Sequence, residues 1–374
     1  MGPRSERPST FAVVTGGGTS GHVLPALAIA EALVAGGHDA DELHYVGTSR
    51  GVETRLLPVA GLAHTFYDVS GLQRSLSQRN LMFLPRMIAA VYRARKLLRR
   101  LRPAVVVNVG GYASFPATLG ARLLRIPTVI VSYDRRPGLV SRLLARGATA
   151  CAVAFPDSTL PHAVHTGAPV RRELIELDRS ARRTQSRIDL DLPADRFVIA
   201  VVCGSLGAQA VNAAVTAAVE RLSDRRDLCI HHVVGDRFLG DAAPTRDGSN
   251  GIMYRVTGYE DRMAQLYAAA DLFVTRAGAG TIAELATVGA PAIIVPWPGA
   301  AENHQVGNAR TLSDIGAAIL IEQADLTVDR LIAEIELLVE SPDMLRVVAE
   351  SAREAGAMHR SGALVNLIEQ VASR

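Results

Sequence analysis

Cysteine and aromatic residues are scarce in this chain of 374 residues, which has three cysteines and one tryptophan. The number of cysteines is odd, and Cys151 and Cys203 fall in apolar runs that are typical of buried strands. The sequence therefore predicts no disulfide framework and favours a reducing compartment. The apolar runs are too short to span a bilayer, and residues 1–10 lack the apolar core of a signal peptide. We expect a soluble, cytosolic chain that can still lie on a membrane surface.

Acidic residues are absent from one long stretch of the sequence. No Asp or Glu occurs from Val69 to Tyr133, although the net charge of the whole chain is only +3. The same stretch holds eleven basic residues: Arg74, Arg79, Arg86, Arg93, Arg95, Lys96, Arg99, Arg100, Arg102, Arg122 and Arg125. This distribution predicts a positive field over one region of the fold, which would attract phosphates or an anionic surface.

Short β-rich runs alternate with longer amphipathic runs twice along the chain. A buried strand at 11–15 leads into a Gly-rich loop and a helix with Pro25 in its first turn. The pattern restarts at 197–203, which leads into a second Gly-rich loop and another helix. We predict further strands at 42–47, 63–69, 105–109, 128–132, 149–153, 228–233, 253–256, 272–275, 292–295 and 318–321. This alternation predicts an α/β protein with two Rossmann-like, doubly wound domains facing a cleft.

The domain boundaries follow from changes in polarity. Residues 171–196 are polar and charged and lack a strand pattern, so we expect the junction there. The predicted domains are an N-terminal one over 1–170 and a C-terminal one over 171–350. The last helix, in 351–374, has no strand partner and is expected to pack back across the junction.

Four Gly-rich loops follow predicted strands, at 16–21, 109–112, 204–207 and 277–281. The first matches the dinucleotide pattern G-x-G-x-x-G, but Asp41 and Glu42 lie at the start of the second strand and not at its end. The acidic residue that would hold a ribose is therefore missing, which disfavours a nicotinamide enzyme. Each loop alone is either a tight turn or an anion site. Four together favour two pyrophosphates held by backbone amides at the sheet edges.

Side chains beside these loops have both chemical and structural interpretations. His22 follows the first loop and is either a helix cap or a catalytic base. Glu284, three residues after Thr281, either completes a capping box or accepts the hydroxyls of a ribose. The loop at 296–305 holds the only Trp and several donors that suit a sugar.

Metal ligands of the kind found in many sugar transferases are not evident. Two Asp-x-Asp spacings occur, Asp39/Asp41 and Asp189/Asp191, but the first precedes a strand and the second lies in the polar junction. We therefore predict no metal and no other cofactor. Loop amides and helix dipoles would then stabilise a leaving diphosphate.

Six segments in this order resemble the MurG transferases of peptidoglycan synthesis, in glycosyltransferase family 28, over about residues 11–370. They are 16–25, 110–114, 166–171, 204–208, 276–284 and 302–305. The resemblance implies a GT-B fold and inverting transfer of GlcNAc from UDP-GlcNAc to the C4 hydroxyl of MurNAc in lipid I, giving lipid II. It also implies a peripheral enzyme on the cytoplasmic face of the cell membrane, bound to an anionic surface and not to nucleic acid.

The same resemblance implies roles for individual residues. The C-terminal domain would hold the donor, through Arg171, Ser205, Gly258, Tyr259, Met263, Gly280, Thr281, Glu284, His304 and Gln305. The N-terminal domain would hold the acceptor pyrophosphate, through Gly17, Gly18, Thr19, Ser20, Gly21, Gly110, Gly111 and Tyr112. The general base would be His22 first and Asp134 second.

One segment departs from the family pattern. After the strand that ends near Val131, the family usually reads His-Glu-Gln/Ala-Asn, whereas this chain places Ser132 at the Glu position and Asp134 at the Asn position. The change is consistent with a shifted proton acceptor, a modified acceptor, or a divergent lineage with the same reaction.

Membrane contact is predicted from residues 72–87, where apolar residues stand beside Arg74, Arg79 and Arg86. The alternative is that these apolar residues belong to the core. Three other functions remain open: a UDP-sugar transferase with a glycolipid or natural-product acceptor, a UDP-GlcNAc epimerase on the same fold, and a non-catalytic nucleotide-sugar-binding partner in a membrane complex.

Overall fold

The computed structural model describes residues 10–71, 83–204 and 207–374. The chain forms two compact units. Unit 1 consists of the described residues up to Arg172 together with Met358–Arg374, and unit 2 consists of Glu173–Ala357. The boundaries thus fall at 172/173 and 357/358, where the sequence predicted 170/171 and 350/351.

The described residues form thirteen strands in two sheets, and every strand pair within a sheet is parallel. The strands are β1 Thr10–Thr15, β2 Leu43–Thr48, β3 Ala63–Tyr67, β4 Pro103–Asn108, β5 Thr128–Ser132, β6 Ala150–Val153, β7 Ala163–His165, β8 Phe197–Val202, β9 Leu228–Val233, β10 Met253–Thr257, β11 Leu272–Thr275, β12 Ala292–Ile294 and β13 Ile319–Leu320. Unit 1 has the order β3-β2-β1-β4-β5-β6-β7 and unit 2 the order β10-β9-β8-β11-β12-β13. The prediction of two doubly wound α/β domains is confirmed.

Fourteen α-helices connect and flank these strands in the described ranges. They are α1 Ser20–Ala35, α2 Glu53–Ala60, α3 Phe83–Leu101, α4 Phe115–Leu124, α5 Leu139–Ala145, α6 Arg172–Ile175, α7 Arg179–Asp189, α8 Gln209–Arg221, α9 Met263–Ala269, α10 Ala279–Val288, α11 His304–Ser313, α12 Val328–Glu340, α13 Pro342–Ala355 and α14 Ala363–Ala372. None of them combines the length and the apolarity that a membrane span requires.

The strand order of unit 1 places two Gly-rich loops side by side. The order reverses at β1, which pairs with β2 on one side and with β4 on the other. Loops 16–21 and 109–112 follow β1 and β4, so they meet at the switch point of the sheet, where open α/β folds bind ligands. The short strand β7 was not predicted, because its residues are largely exposed and form no apolar run.

The C-terminal segment belongs to unit 1 and is anchored there by polar contacts. The Ala168 N–H donates to His359 Nδ1 at 3.0 Å, and His38 Nε2 lies 3.1 Å from Glu369 Oε1. Burial lowers the pKa of His359 to about 4, with Arg360 and His165 acting in the same direction, so its neutral ring can accept the hydrogen bond from Ala168.

The backbone at Gly167 also lies close to the C-terminal segment. Gly167 has φ +77°, and a Cβ there would lie 2.7 Å from the Met358 carbonyl oxygen.

The boundary at 172/173 lies within the polar stretch where the junction was expected, and the rest of that stretch folds as part of unit 2. Helix α7 lies within it, and Arg187 of this helix is only 2% exposed. Arg187 pairs with Asp271 at 2.8 Å and donates to four backbone carbonyls, those of Ala269, Pro193, Ala194 and Arg196. The polarity of this stretch does not mean that all of it is solvated, because the Arg187 guanidinium satisfies buried carbonyls of unit 2.

Removal of the Asp271 carboxylate is expected to destabilise unit 2. Asp271 accepts from Arg187 and from the Val198 N–H at 2.7 Å, and it pairs with Arg183. Asp271→Ala leaves a buried guanidinium without its counter-charge, which typically costs about 3–5 kcal/mol of unfolding free energy. Urea denaturation followed by the fluorescence of the single Trp297 would measure this loss.

The matched control is Asp329→Ala, which removes an exposed partner of Arg221. Exposed ion pairs contribute little to stability, so the urea midpoint of this variant should stay close to that of the parent. Equal midpoint shifts in the two variants would contradict a buried role for Asp271.

Candidate active site

A buried carboxylate supports the first Gly-rich loop of unit 1. Glu53, at the start of α2, is fully buried and accepts from the Thr48 N–H at 3.0 Å and from the Gly18 N–H at 3.1 and 3.2 Å. Gly17 has φ +143°, and a Cβ there would lie 2.2 Å from Glu53 Oε1. The Gly18 amide, predicted to bind phosphate, is therefore engaged by Glu53 within the protein.

The amides at the end of this loop, where helix α1 begins, remain suited to an anion. Helix α1 begins at Ser20, with Thr19 as its N-cap and no side-chain capping bond among the described residues. The first-turn N–H groups of Ser20 and Gly21 have no acceptor within the helix, and the helix dipole favours negative charge at this end. The amides of Ser20 and Gly21, with Thr19 before them, thus form a helix terminus that is chemically suited to an anion.

The second Gly-rich loop makes room for the imidazole of His22. Gly110 and Gly111 have φ +96° and +76°, and the Gly110 N–H donates to Asn108 Oδ1 at 2.7 Å. A Cβ on Gly111 would lie 2.9 Å from His22 Cδ2, and one on Gly110 would lie 3.3 Å from Nδ1. The structure therefore brings His22 against the Gly110–Gly111 backbone, as the sequence predicted for an acceptor site.

Tyr112 follows the second Gly-rich loop and also packs against the first one. It begins a short 3-10 helix, Tyr112–Ser114, directly after the two glycines. A Cβ on Gly18 would lie 2.8 Å from Tyr112 Cε1, so the phenol ring packs on the first loop. Burial and the charge of Glu53 raise the pKa of Tyr112, which keeps its hydroxyl protonated and able to donate.

His22 does not cap the helix, because its imidazole is held by Tyr133. His22 Nδ1 lies 3.1 Å from Tyr133 Oη, and the Tyr133 hydroxyl donates to the Gly21 carbonyl. Burial lowers the pKa of His22, while the charge of Asp134, a hydrogen bond to the Val109 backbone and the charge of Glu53 oppose the shift. The net lowering leaves the ring neutral at pH 7, so it can accept a proton.

Asp134 stands close to this histidine on the next strand end. It follows β5, is half-buried, and its negative charge acts on both His22 and Tyr133. The structure therefore brings together the two residues that were predicted as candidate bases.

In unit 2, glycines at the strand ends allow close approach of the backbone. A Cβ on Gly207 would lie 2.0 Å from the Val234 carbonyl oxygen, and one on Gly258 would lie 2.5 Å from Asp236 Oδ1. Ser205, predicted to contact the donor phosphates, lies outside the described residues. Because β8, β9 and β10 are parallel neighbours, their loops meet at one edge of the sheet.

The segment from Gly258 to Met263 is braced by the buried Glu260. Its Oε1 accepts from the Arg262 N–H at 2.9 Å and from Arg262 Nε at 3.0 Å, and its Oε2 lies 3.5 Å from His231 Nε2. Burial acts to raise the pKa of Glu260, but its contacts with His231 and Arg262 lower it to about 2. Tyr259 stays exposed beside it, and Met263 begins α9.

The loop before α10 shows that Glu284 is not part of a capping box. The N-cap is Gly278, so Gly280 and Thr281 lie inside the first turn of the helix. Glu284 instead accepts a hydrogen bond from the Tyr267 hydroxyl at 3.1 Å and is half-buried. The capping-box interpretation is wrong. The hydrogen bond from Tyr267 orients the Glu284 carboxylate instead.

The loop from 295 to 305 is held by side-chain hydrogen bonds to its backbone and contains two strained residues. Arg276 donates to the carbonyls of Val295 and Pro296, and Gln305 Oε1 accepts from the Trp297 N–H at 2.8 Å. Glu302 and Asn303 are consecutive non-glycine residues in the left-handed region, with φ +53° and +54°. Such strain is concentrated at ligand sites, and here it directly precedes His304 and Gln305 at the start of α11.

Two further features are the position of Arg171 and the arrangement of possible metal ligands. Arg171, a predicted donor ligand, is the last residue before α6 and belongs to unit 1. Among the described residues, no group of three or more His, Cys, Asp or Glu side chains could hold a metal ion.

Sequence reasoning missed Glu53, Tyr133, Glu260 and Tyr267, which orient the loops and the predicted side chains. None of them lies in a Gly-rich motif. The one available signal was the departure at Ser132–Asp134, which drew attention to the strand end that carries Tyr133.

Comparison with known proteins agrees with this geometry. Residues 12–153 match the N-terminal domain of glycosyltransferase family 28, and residues 198–363 match its C-terminal domain. A protein of Desulforudis audaxviator, named UDP-N-acetylglucosamine--N-acetylmuramyl-(pentapeptide) pyrophosphoryl-undecaprenol N-acetylglucosamine transferase, is 37% identical over 97% of this chain and 98% of its own length.

Two further comparisons lead to the same family. A protein of Cutibacterium acnes with the same name is 40% identical over 86% of this chain and 87% of its own length. The crystal structure of Acinetobacter baumannii MurG superposes with a TM-score of 0.72 at 28% identity, over 98% of this chain and all of that one. The chain therefore belongs to glycosyltransferase family 28 and, within it, to the MurG transferases.

Proposed function

We propose that this enzyme transfers GlcNAc from UDP-GlcNAc to the C4 hydroxyl of MurNAc in lipid I, with inversion, and so produces lipid II. Relatives named for a transfer between these sugars align with nearly the whole chain. The observation that carries the proposal is the position of the His22 imidazole, against the Gly110–Gly111 backbone and at a helix terminus suited to an anion, with a pKa that burial lowers. A hydroxyl nucleophile attached to a diphosphate needs both a base and a phosphate site.

The reaction proceeds by direct displacement at the anomeric carbon. As the acceptor oxygen bonds to that carbon, its proton passes to His22 and the bond to the diphosphate oxygen breaks, releasing UDP. The Ser20 and Gly21 amides hold the acceptor pyrophosphate, and the charge of Asp134 stabilises the imidazolium that forms. Asp134 at the position of the family's Asn is thus compatible with the same reaction.

Residues of unit 2 would hold the donor. The backbone from Gly258 to Met263 frames the uracil, Glu284 accepts the ribose hydroxyls, and His304 with Gln305 binds the sugar. The amides at the start of α10, including those of Gly280 and Thr281, stabilise the leaving diphosphate without a metal ion.

Release of UDP from UDP-GlcNAc should require a short-chain lipid I analogue and yield a disaccharide lipid. His22→Ala is expected to lower kcat by roughly 10²–10⁴-fold, the usual contribution of a general base. His64→Ala, which removes an exposed histidine on β3, should leave kcat unchanged. Since the pKa of His22 lies below 6.5, activity should fall only as the pH drops below that value.

Three outcomes would contradict the assignment. UDP binding without release in the presence of the lipid I analogue would favour a different lipid or a natural-product acceptor. Epimerised UDP-sugar formed without acceptor would favour an epimerase. Binding of UDP with no turnover under any condition would favour a non-catalytic partner.

We also infer that helix α3 binds an anionic membrane surface. Leu84, Ile88 and Tyr92 recur every four residues and are 64%, 61% and 69% exposed, so they form one apolar stripe on its outer face. Lys96, Arg99 and Arg100 are exposed on the same helix. Leu72, Leu76, Leu81 and Met82 lie outside the described residues, and nothing is assigned to the Phe83 side chain.

The stripe complements a membrane in two ways. Its apolar residues are exposed to solvent, and the inner face of α3 buries Met87, Ala90 and Ala94 instead, so the core interpretation does not hold for Leu84. Each basic residue near an anionic surface contributes roughly 1 kcal/mol, which suits peripheral binding.

The triple variant Leu84→Ser, Ile88→Ser and Tyr92→Ser should lose most of its co-sedimentation with phosphatidylglycerol vesicles. Val59→Ser, at a position 89% exposed on α2 of the same unit, serves as the control and should sediment like the parent. Equal vesicle binding by the triple variant and the parent would exclude α3 as the contact.

A further inference from the structure

A proline in helix α1 leaves one carbonyl of the active site without its helical donor. The sequence placed Pro25 in the first turn, but α1 begins at Ser20, so Pro25 lies in the second turn. In an α-helix the N–H of residue 25 would donate to the carbonyl of residue 21. Pro25 has no N–H, so the Gly21 carbonyl needs another donor.

Tyr133 supplies that donor. Its hydroxyl donates to the Gly21 carbonyl, and the side chain is almost completely buried. Burial and the charge of Asp134 raise the pKa of Tyr133 well above its usual value, so the hydroxyl keeps its proton. A carbonyl can only accept, and a phenol has one proton, so the direction of this hydrogen bond is fixed.

The fixed direction determines the proton on His22. Because the Tyr133 proton is directed to Gly21, the Tyr133 oxygen can only accept from His22 Nδ1, which lies 3.1 Å away. A neutral imidazole carries one ring proton, and this contact favours its placement on Nδ1. Nε2 is then the nitrogen with the free lone pair, and the hydrogen bond of the ring to the Val109 backbone is also donated by Nδ1–H in this tautomer.

We propose that Tyr133 is a positioning residue that holds His22 in the Nδ1–H tautomer, so that Nε2 accepts the proton of the attacking hydroxyl. The role of Nε2 rests on the proposed function, whereas the tautomer does not. In the transfer step the acceptor O–H proton moves to Nε2, the new C–O bond forms, and the UDP oxygen takes the electron pair of the broken bond. The resulting imidazolium keeps its Nδ1–H bond to Tyr133.

Neighbouring elements determine how this imidazolium is stabilised. Asp134 after β5 and Glu53 on α2 are the acidic groups whose charges act on the ring, and both favour its protonated form. The ring packs against the Gly110–Gly111 backbone, which restricts its rotation. Tyr133 therefore sets which nitrogen is basic, while the two carboxylates moderate how basic it is.

The tautomer can be read without any substrate. In ¹⁵N-labelled full-length protein at neutral pH, we expect His22 Nδ1 to show the shift of a protonated ring nitrogen and Nε2 that of an unprotonated one. Comparison with His22→Gln identifies the signals. An Nε2–H tautomer in the parent protein would overturn the proposal directly, whatever any variant does.

Tyr133→Phe removes the acceptor and keeps the ring. We expect the two His22 nitrogen shifts to move towards each other, as in a mixture of tautomers. We also expect kcat with the lipid I analogue to fall roughly ten-fold, the scale of one lost hydrogen bond, with the KM for UDP-GlcNAc unchanged. The acidic limb of the pH–kcat profile should move to lower pH, because the lost contact had favoured the imidazolium.

Tyr67→Phe is the matched control. Tyr67 is a buried tyrosine of unit 1 whose hydroxyl has no hydrogen-bond partner among the described residues. Its variant should preserve the nitrogen shifts and kcat. Unchanged nitrogen shifts in a folded Tyr133→Phe protein would overturn the proposal.

Different results would contradict the proposed function and the role of Tyr133. A parent protein that does not turn over the lipid I analogue but shows the Nδ1–H tautomer would contradict the proposed function and leave the role of Tyr133 on the ring intact. Turnover of the analogue with the Nε2–H tautomer would contradict the role of Tyr133 alone.

Discussion

The buried carboxylate of Glu53 holds the first Gly-rich loop of unit 1 in place. It accepts the amides of Thr48 and Gly18, so it ties the end of β2 to the loop that follows β1. A buried carboxylate with unsatisfied oxygens would cost several kcal/mol, and these amides meet that requirement. The loop must then bring its backbone against the carboxylate, which excludes a side chain at Gly17 and directs the following amides to the start of α1.

Polar groups organise unit 2 in a comparable way. Arg187 and Asp271 fix helix α7 at the base of the sheet, and Arg276 and Glu260 brace the loops at its opposite, carboxyl edge. These side chains are buried or half-buried, and each satisfies backbone groups that water cannot reach. The loops that would bind the donor are thus preorganised by the chain itself, which reduces the cost of ordering them around a ligand.

The recurring strand, Gly-rich loop and helix made the fold predictable, because a buried parallel strand is a short apolar run with clear ends. The same reasoning found His22 and the glycines beside it. It could not find Tyr133, which lies 108 positions after Pro25 in the sequence. Pro25 has no N–H for the Gly21 carbonyl, and Tyr133 supplies the missing donor. Local polarity also placed the unit boundary within 171–196, but it could not reveal that Arg187 of this stretch is buried among carbonyls.

The remaining ambiguities also have a physical origin. Thr281 and Glu284 have the spacing of a capping box, but the helix begins two residues before Thr281, so the pattern falls inside the first turns. A helix start is decided by which backbone amides lack acceptors, which depends on the loop before it. For Leu84, the same apolar residue suits either core or surface until the orientation of α3 is known.

We propose that the glycine loops of unit 2 hold the nucleotide sugar and that those of unit 1 hold the acceptor. This claim can be tested by amide hydrogen exchange of the full chain, measured with UDP-GlcNAc alone and then with the short-chain lipid I analogue alone. We predict that UDP-GlcNAc slows exchange at 258–263 and 278–284, and that the analogue slows exchange at 19–22 and 110–112. Protection of 19–22 and 110–112 by UDP-GlcNAc, with 258–284 unaffected, would contradict the claim.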